Sequence, residues 1–193
     1  MRYERANPEA PWLTREITDL LHSWLKPGYV GLEFGSGRST LWFAARVRRL
    51  TSVEHDAAWH ATISSRLVER GLMSIVDYRL YDDGATDGQG TRYAAVAGEF
   101  PAESLDFVLV DGMCRDHCAL ASIPLLKRRG WLIVDNVNWY VPRKERSRSP
   151  KSRSLADGYA SDVWREFHQR VEKWKSIWTC NGISDTAAWI KPS

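Results

Sequence analysis

Cysteine is scarce in this chain, with three (Cys114, Cys118 and Cys180) in 193 residues. So few, and an odd number, cannot make the disulfide framework that staples small secreted domains, and the scarcity agrees with a reducing compartment. Long hydrophobic runs are missing too. No apolar stretch approaches the roughly 20 residues of a membrane-spanning helix, and the opening MRYERANPEAPW has no apolar core of a secretory leader. A soluble, cytoplasmic protein without membrane contact is the expectation. The balance of 44% hydrophobic to 26% charged residues is ordinary for a globular chain and argues against wholesale disorder, collagen or coiled coil. The length suits one domain over 1–193, able to bury roughly 70% of its unfolded surface.

Two quantities are high: ten tryptophans and a net charge of +3. Most of the tryptophans (Trp24, Trp42, Trp131, Trp164, Trp178 and Trp189) fall at apolar positions of helices or strands, which makes them core. The charge is concentrated. RKERSRSPKSR at 143–153 holds six basic residues against Glu145, a charge of +5, which leaves −2 for the rest of the chain. A surface that reads nucleic acid spreads its basic residues over a face or a helix. This Ser/Pro/Arg-rich stretch, within a loop of about 141–160, has no apolar periodicity. It reads either as a solvated mobile loop or as a lid that docks an anionic substrate.

Periodicity alternates along the chain. Residues 13–25 place Leu13, Ile17, Leu20, Leu21 and Leu25 on one helical face, with Thr14 as N-cap and Pro27-Gly28 as stop. YVGLEF (29–34) reads as a strand, 40–50 as a helix, 50–56 as a strand and 57–71 as a helix closed by Gly71. A third strand covers 74–83, followed by a Gly/Asp-rich loop to about 91. SLDFVLVDG (104–112) is a buried strand ending in an acid. A helix runs on through HCALASIPLLKRRG, interrupted by Pro124, and WLIVDN (131–136) is again a strand ending in an acid. After the basic loop come a helix at 162–174 and two strands, 176–180 and 186–190, flanking Asn181-Gly182. Strand and helix in alternation imply an α/β fold with a largely parallel sheet, made mixed by the closing hairpin. Ligands of such sheets bind beyond the carboxyl ends of the strands, where Glu33, Glu54, Asp111 and Asp135 fall.

The first strand leads into Glu33-Phe34-Gly35-Ser36-Gly37-Arg38-Ser39-Thr40. Two glycines let a ligand approach the backbone at the start of the next helix. A dinucleotide fingerprint needs a third glycine at 40, where Thr40 stands, and no Gly-Lys-Ser/Thr phosphate loop is present. Glu33 would repel a phosphate but accept from an ammonium. Glu54, 21 residues on, ends the second strand, where an acid can take both ribose hydroxyls. An adenosine ligand with an ammonium and no phosphate is S-adenosylmethionine (SAM).

These residues, with Ser52-Val53-Glu54-His55-Asp56, Asp106–Gly112, Asp135-Asn136 and the closing Trp189-Ile190-Lys191-Pro192, resemble the small class I SAM-dependent methyltransferases over about 12–192. The resemblance implies a Rossmann-like, mostly parallel seven-stranded sheet with an antiparallel C-terminal hairpin, flanked by helices. It implies that Glu33, Gly35, Ser36, Gly37, Ser39 and Thr40 line the methionine end of SAM, that Glu54 holds the ribose, and that His55 and Asp82 or Asp83 lie along the adenosine, with Asp111 near the ammonium.

Methyl transfer is in-line displacement at carbon, and an oxygen nucleophile must also lose a proton to a base or a metal-lowered pKa. Asp111, Asp135 and Asn136 end adjacent strands. They form either a hard oxygen site for Mg2+ or a set of strand-end groups that hydrogen-bond loops or the methionine ammonium. The pattern is similar to the metal-dependent catechol and caffeoyl-CoA type O-methyltransferases, except that Val137-Asn138-Trp139-Tyr140 follows. His117 is a candidate base. Cys114, His117 and Cys118 lack the second ligand pair of a zinc site. Asn136, Trp139 and Tyr140 are candidates for the acceptor's walls.

The expectation is a SAM-dependent methyltransferase acting on a small molecule at oxygen, with a homodimer as a candidate assembly. The alternatives are a macromolecular or anionic conjugate docked by the basic loop, and a non-catalytic SAM-binding partner subunit. Asp111-Gly112-Met113-Cys114 stands where a nucleic-acid amino-methylase would carry Asn/Asp-Pro-Pro-aromatic, so nucleic acid is not the expected acceptor.

Overall fold

The apolar runs that end in acids or glycine turns become the strands of one sheet, because only a sheet covered on both faces buries runs without polar alternation. The computed structural model describes residues 7, 9–82, 92–144 and 147–193. Among them β1 (Val30–Phe34), β2 (Arg49–Glu54), β3 (Val76–Leu80), β4 (Leu105–Val110), β5 (Leu126–Asp135), β6 (Lys175–Cys180) and β7 (Asp185–Ile190) form a seven-stranded sheet in the order β3-β2-β1-β4-β5-β7-β6. β1 to β5 pair in parallel, and β7 runs antiparallel to β5 and β6. The expected mixed sheet is the one formed, and strand order reverses between β1 and β4, which opens a crevice at their carboxyl ends.

The helices are α1 (Arg15–Trp24), α2 (Arg38–Ala44), α3 (Ala57–Glu69), α4 (Arg92–Ala95), α5 (Arg115–Ser122) and α6 (Asp162–Val171). Side-chain alternation along β1 and β4 divides the core in two. Leu32, Phe34, Val108 and Val110 pack with Tyr93, Cys118, Trp164 and Phe167 of α4, α5 and α6. Phe107 and Leu109 pack with Ile17, Leu21, Phe43 and Ile63 of α1, α2 and α3. Trp42, Trp131, Trp164 and Trp189 are buried in these layers, and Trp24 and Trp178 are packed half-buried against them. The tryptophan excess is mainly a packing fact.

The structure corrects several boundaries. The helix expected through residue 130 ends at Ser122, since Pro124 has no N–H to continue it. Ile123–Leu125 is a 3-10 turn, and LKRRG already belongs to β5, ten residues long. The helix expected over 40–50 is Arg38–Ala44, and the strand pair β6–β7 is joined by four residues, 181–184. There the Asn181 carboxamide oxygen accepts from the Ile183 N–H (3.0 Å) and the Ser184 N–H (2.9 Å). The basic stretch is fastened where it is described, rather than free. The Arg153 N–H donates to the Asn138 carbonyl (2.9 Å) and the Arg148 N–H to the Gly182 carbonyl (3.2 Å). The Asn138 amide donates to the hydroxyls of Ser147 (3.0 Å) and Ser152 (2.8 Å). Periodicity could not show this, because the ties are polar and reach across the chain. Among the described residues no helix is long and apolar enough to cross a membrane.

Candidate active site

Three strand ends build the site. After β1 the chain turns at Gly35, whose φ is +96°, and a Cβ there would lie 2.4 Å from the Gly112 nitrogen. A Cβ on Gly112 would in turn fall 1.9 Å from the Tyr93 hydroxyl and 2.8 Å from the Gly35 nitrogen. The loops after β1 and β4 thus touch backbone to backbone, which only glycine allows at either position. Gly37 differs: a Cβ there would meet nothing nearer than the Trp59 ring at 3.9 Å, so packing does not demand glycine at that position.

Glu33 is fully buried beneath α2. Its Oε2 accepts from the hydroxyls of Thr40 and Ser52, each at 2.6 Å. Its Oε1 is buried without a partner. Burial raises its pKa to about 7, against the lowering pull of these hydroxyls. Thr40 also accepts from the Gly37 N–H (2.9 Å), which fastens the glycine turn to the buried acid.

Glu54 is 3% exposed and saturated by its own chain. One oxygen accepts from the Ser36 N–H (3.1 Å) and Ser36 hydroxyl (2.6 Å). The other accepts from the N–H groups of His55 (2.8 Å) and Asp56 (3.0 Å) and faces the His55 ring at 2.9 Å. The Ser36 hydroxyl also meets Tyr78 (2.7 Å), and the Trp59 indole donates to the Ser36 carbonyl (2.9 Å). Asp82 is exposed at the edge of the described chain, and Asp83 lies outside the described residues.

Asp111 and Asp135 each follow directly on the register pair Val110 and Val134 at the ends of β4 and β5. Asp135 is 4% exposed, and its Oδ1 accepts from the Thr186 hydroxyl (2.6 Å). Burial first, then the charge of Asp111, raises its pKa to about 7. The Asp111 side chain is 27% exposed; burial raises its pKa to about 6, and the adjacent Arg115 (3.0 Å) opposes that rise. Asn136 donates to the Ser184 hydroxyl (2.5 Å) and accepts from Arg115 (3.1 Å). Asp111 and Asn136 meet the Arg115 guanidinium through their side chains, and Asp135 meets it through its backbone carbonyl (2.6 Å). The arrangement does not fit the Mg2+ expected from Asp111, Asp135 and Asn136, because the Asn136 oxygen and one Asp111 oxygen already face Arg115. Among the described residues no group of three or more His, Cys, Asp or Glu side chains could hold a metal ion.

His117 is held by its backbone N–H, which donates to Asp116 (2.9 Å), and the second Asp116 oxygen takes the Ser161 hydroxyl (2.8 Å). Tyr140 is half-buried and stacks on Trp164 with ring centroids 5.0 Å apart. The Trp139 ring is covered by the Lys151 ammonium at 4.2 Å. Arg115, Tyr93, Thr186 and Ser184 are the site residues that sequence reasoning missed. Arg115 follows Gly112 by three residues, a spacing readable as a helix-start cation. Thr186 and Ser184 reach the site only through the pairing of β7 on β5.

The crevice between β1 and β4, its glycine turn and the mixed sheet together give this chain the fold of the class I SAM-dependent methyltransferases. It is similar to the O-methyltransferase TomG of Streptomyces achromogenes, involved in tomaymycin synthesis and solved with SAM, at 20% identity and TM-score 0.61, over 93% of this chain and 81% of that one. It is similar to the precorrin-8W decarboxylase of Methanobacterium thermoautotrophicum at 17% identity and TM-score 0.58, over 97% and 95%. It is likewise similar to a candidate rRNA methylase of Clostridium thermocellum at 14% identity and TM-score 0.60, over 91% and 93%. At such identities the likeness establishes shared fold. No protein-family model matches the sequence, and neither does a curated protein.

Proposed function

We propose that this protein is a SAM-dependent methyltransferase that methylates a small-molecule acceptor at oxygen. The observation that carries the reading is the Glu33 carboxyl, buried beside the glycine turn with one oxygen unpartnered. A buried acid with a spare acceptor suits a ligand ammonium, and an ammonium there would pull its pKa back down. When bound, SAM supplies a methyl group on a positively charged sulfur. The chain's residues then do the rest. Glu33 takes the ammonium, the open side of Gly37 admits the methionine end, and Glu54 turns to the ribose hydroxyls by releasing the Ser36 hydroxyl. Asp111, the more exposed of the paired acids and raised to about 6, is placed to take the acceptor hydroxyl's proton near neutrality. Tyr140, fixed on Trp164, walls the acceptor side.

Calorimetry with S-adenosylhomocysteine (SAH) tests this reading. Binding should release a fraction of a proton near pH 7, seen as an enthalpy that varies with the buffer's ionisation heat. Absence of binding would sink the reading.

A second observation bears on the acceptor. The hairpin turn at 181–184 and the 3-10 turn Val137–Trp139 that follows β5 lie at one edge of the sheet, and the basic stretch is hydrogen-bonded to both. Exposed Lys144, Arg148 and Lys151 thus border the acceptor side, which favours an acceptor carrying a carboxylate or phosphate.

A further inference from the structure

The strand ends that close the acceptor side hold a half-buried acid, Asp111, and a buried one, Asp135, and the group that answers their charge is an arginine. Arg115, with a side chain 13% exposed, reaches from the first turn of α5 back across the ends of β4 and β5. Its Nε donates to the Gly112 carbonyl (2.8 Å). One terminal nitrogen donates to the Asp135 carbonyl (2.6 Å) and the Asn136 carboxamide oxygen (3.1 Å). The other donates to the Asp111 carbonyl (2.6 Å) and pairs with the Asp111 carboxylate (3.0 Å). A guanidinium carries five N–H donors in a fixed plane, and here five oxygens receive them. The two strands leave in matching ways: Cys114 (φ 48°) and Asn136 (φ 50°) are both left-handed, an unfavourable state for Cys114 that the surroundings must enforce.

We propose that Arg115 is the positioning cation of this site, a built-in guanidinium standing where a divalent metal would otherwise bridge Asp111, Asp135 and Asn136, so that the site binds its cofactor and acts without divalent metal. A guanidinium keeps its charge at any pH the protein tolerates and cannot exchange with solvent as a metal ion does. It pairs with the Asp111 carboxylate, its charge favours the ionised form of the buried Asp135, and through the Asp111 and Gly112 carbonyls it fixes the backbone on which Gly35 rests. The glycine turn is held from β4 in the same way, since the Asp111 N–H donates to the Phe34 carbonyl (2.8 Å). Loss of Arg115 therefore loosens the cofactor loop from behind. It also leaves a cluster of hard oxygens uncompensated, which is the chemistry that attracts Mg2+ or Mn2+.

The proposal rests on the methyltransferase reading for its consequence on SAH, but its metal arm stands apart from that reading. The experiment measures SAH affinity by calorimetry and Mn2+ binding by electron paramagnetic resonance on the wild type, Arg115→Ala and Arg115→Lys. Wild type should bind SAH equally with and without chelator and show no Mn2+ site tighter than about 1 mM. Arg115→Ala should lose about tenfold or more in SAH affinity, acquire a Mn2+ site, and recover SAH binding when Mn2+ or sub-denaturing guanidinium is added. A residue that only stabilised the fold would give neither recovery. If Arg115→Ala fails to fold, Arg115→Lys decides the matter: charge is kept but the planar fork is lost, so SAH affinity should fall while far-ultraviolet circular dichroism stays native. The proposal is overturned if wild type binds Mn2+ and Asp111→Asn abolishes that binding, or if a folded Arg115 variant binds SAH as wild type does. Failure of wild type to bind SAH at all overturns the methyltransferase reading instead, and the Mn2+ titration still answers the cation question.

Discussion

Two acids that sequence spacing marks out, Glu33 and Glu54, turn out to be opposites. Glu54 is satisfied by five contacts, whereas Glu33 keeps a bare oxygen in the core. Spacing could locate both, but it could not show which one the chain itself saturates. The difference has a pH signature. Glu33's pKa is raised from 4.5 to about 7, so between those values the folded chain holds a proton that the unfolded chain releases. Its contribution to stability is full below pH 4.5 and is lost as pH rises to about 7, by an amount on the order of 3 kcal/mol. Glu33→Gln removes the titration, so chemical denaturation of this variant should show a flatter pH dependence across that window than wild type. An identical slope in the two proteins would mean that Glu33 is ionised throughout. At Glu54 the competitor for a ribose is the Ser36 hydroxyl. Ser36→Ala should tighten SAH binding by about fivefold, the worth of one displaced hydrogen bond, while Glu54→Ala should weaken it by tenfold or more. Looser binding by Ser36→Ala would make that hydroxyl a ligand contact rather than an obstacle.

At the scale of elements, β7 does more than close the sheet. Its Thr186 hydroxyl donates to Asp135 (2.6 Å) and accepts from the Thr14 N–H (3.1 Å), while the Thr14 hydroxyl meets that of Thr179 on β6. One buried hydroxyl therefore joins the start of α1, the end of β5 and the closing hairpin. Thr186→Val keeps the volume but strands a buried carboxylate oxygen and a buried N–H, which should cost about 2–4 kcal/mol in denaturant unfolding. A loss below about 0.5 kcal/mol would show that water replaces the hydroxyl at both partners. None of this was legible in the sequence. The strands, their largely parallel pairing and the acids at their ends were, because apolar runs ending in Glu or Asp and helices at 3.6 periodicity are local signals. The fate of LKRRG was not, since a basic run after a proline looks the same whether it ends a helix or starts a strand. Arg115 escaped notice for a related reason: its acceptors are mainly backbone carbonyls of β4 and β5, which carry no residue-type signal.

At the scale of the molecule the charge is divided rather than spread, a mildly acidic body at −2 with a +5 stretch over one edge. That stretch is built onto the fold: Arg143 lies 4.5 Å from the centre of the Trp178 ring, Lys151 lies 4.2 Å from that of Trp139, and the Arg153 guanidinium is spent on the carbonyls of Gly158 (2.6 Å) and Asp157 (2.7 Å). Arg153 thus holds the loop, while Lys144 and Arg148, both exposed, are left to face solvent. Removing the loop would strip Asn138 of its partners and confound any reading of function, so charge reversal is the cleaner change. Lys144→Glu with Arg148→Glu changes the local charge by −4 and keeps the backbone N–H bond of Arg148 to Gly182. Exposed charges act over about a Debye length, roughly 8–10 Å at physiological ionic strength. The double variant should therefore raise KM for an anionic acceptor several-fold, leave kcat and SAH affinity near wild type, and lose its difference from wild type as salt is raised. Acceptors identified by turnover of labelled SAM with a metabolite panel provide the substrates for that comparison. If KM for a carboxylate or phosphate acceptor is unmoved at low salt, the basic edge is a solvated rim and the acceptor is selected inside, between Tyr140 and Asp111. A KM effect that persists at high salt would instead mean direct pairing with one of the two side chains, which single reversals would assign.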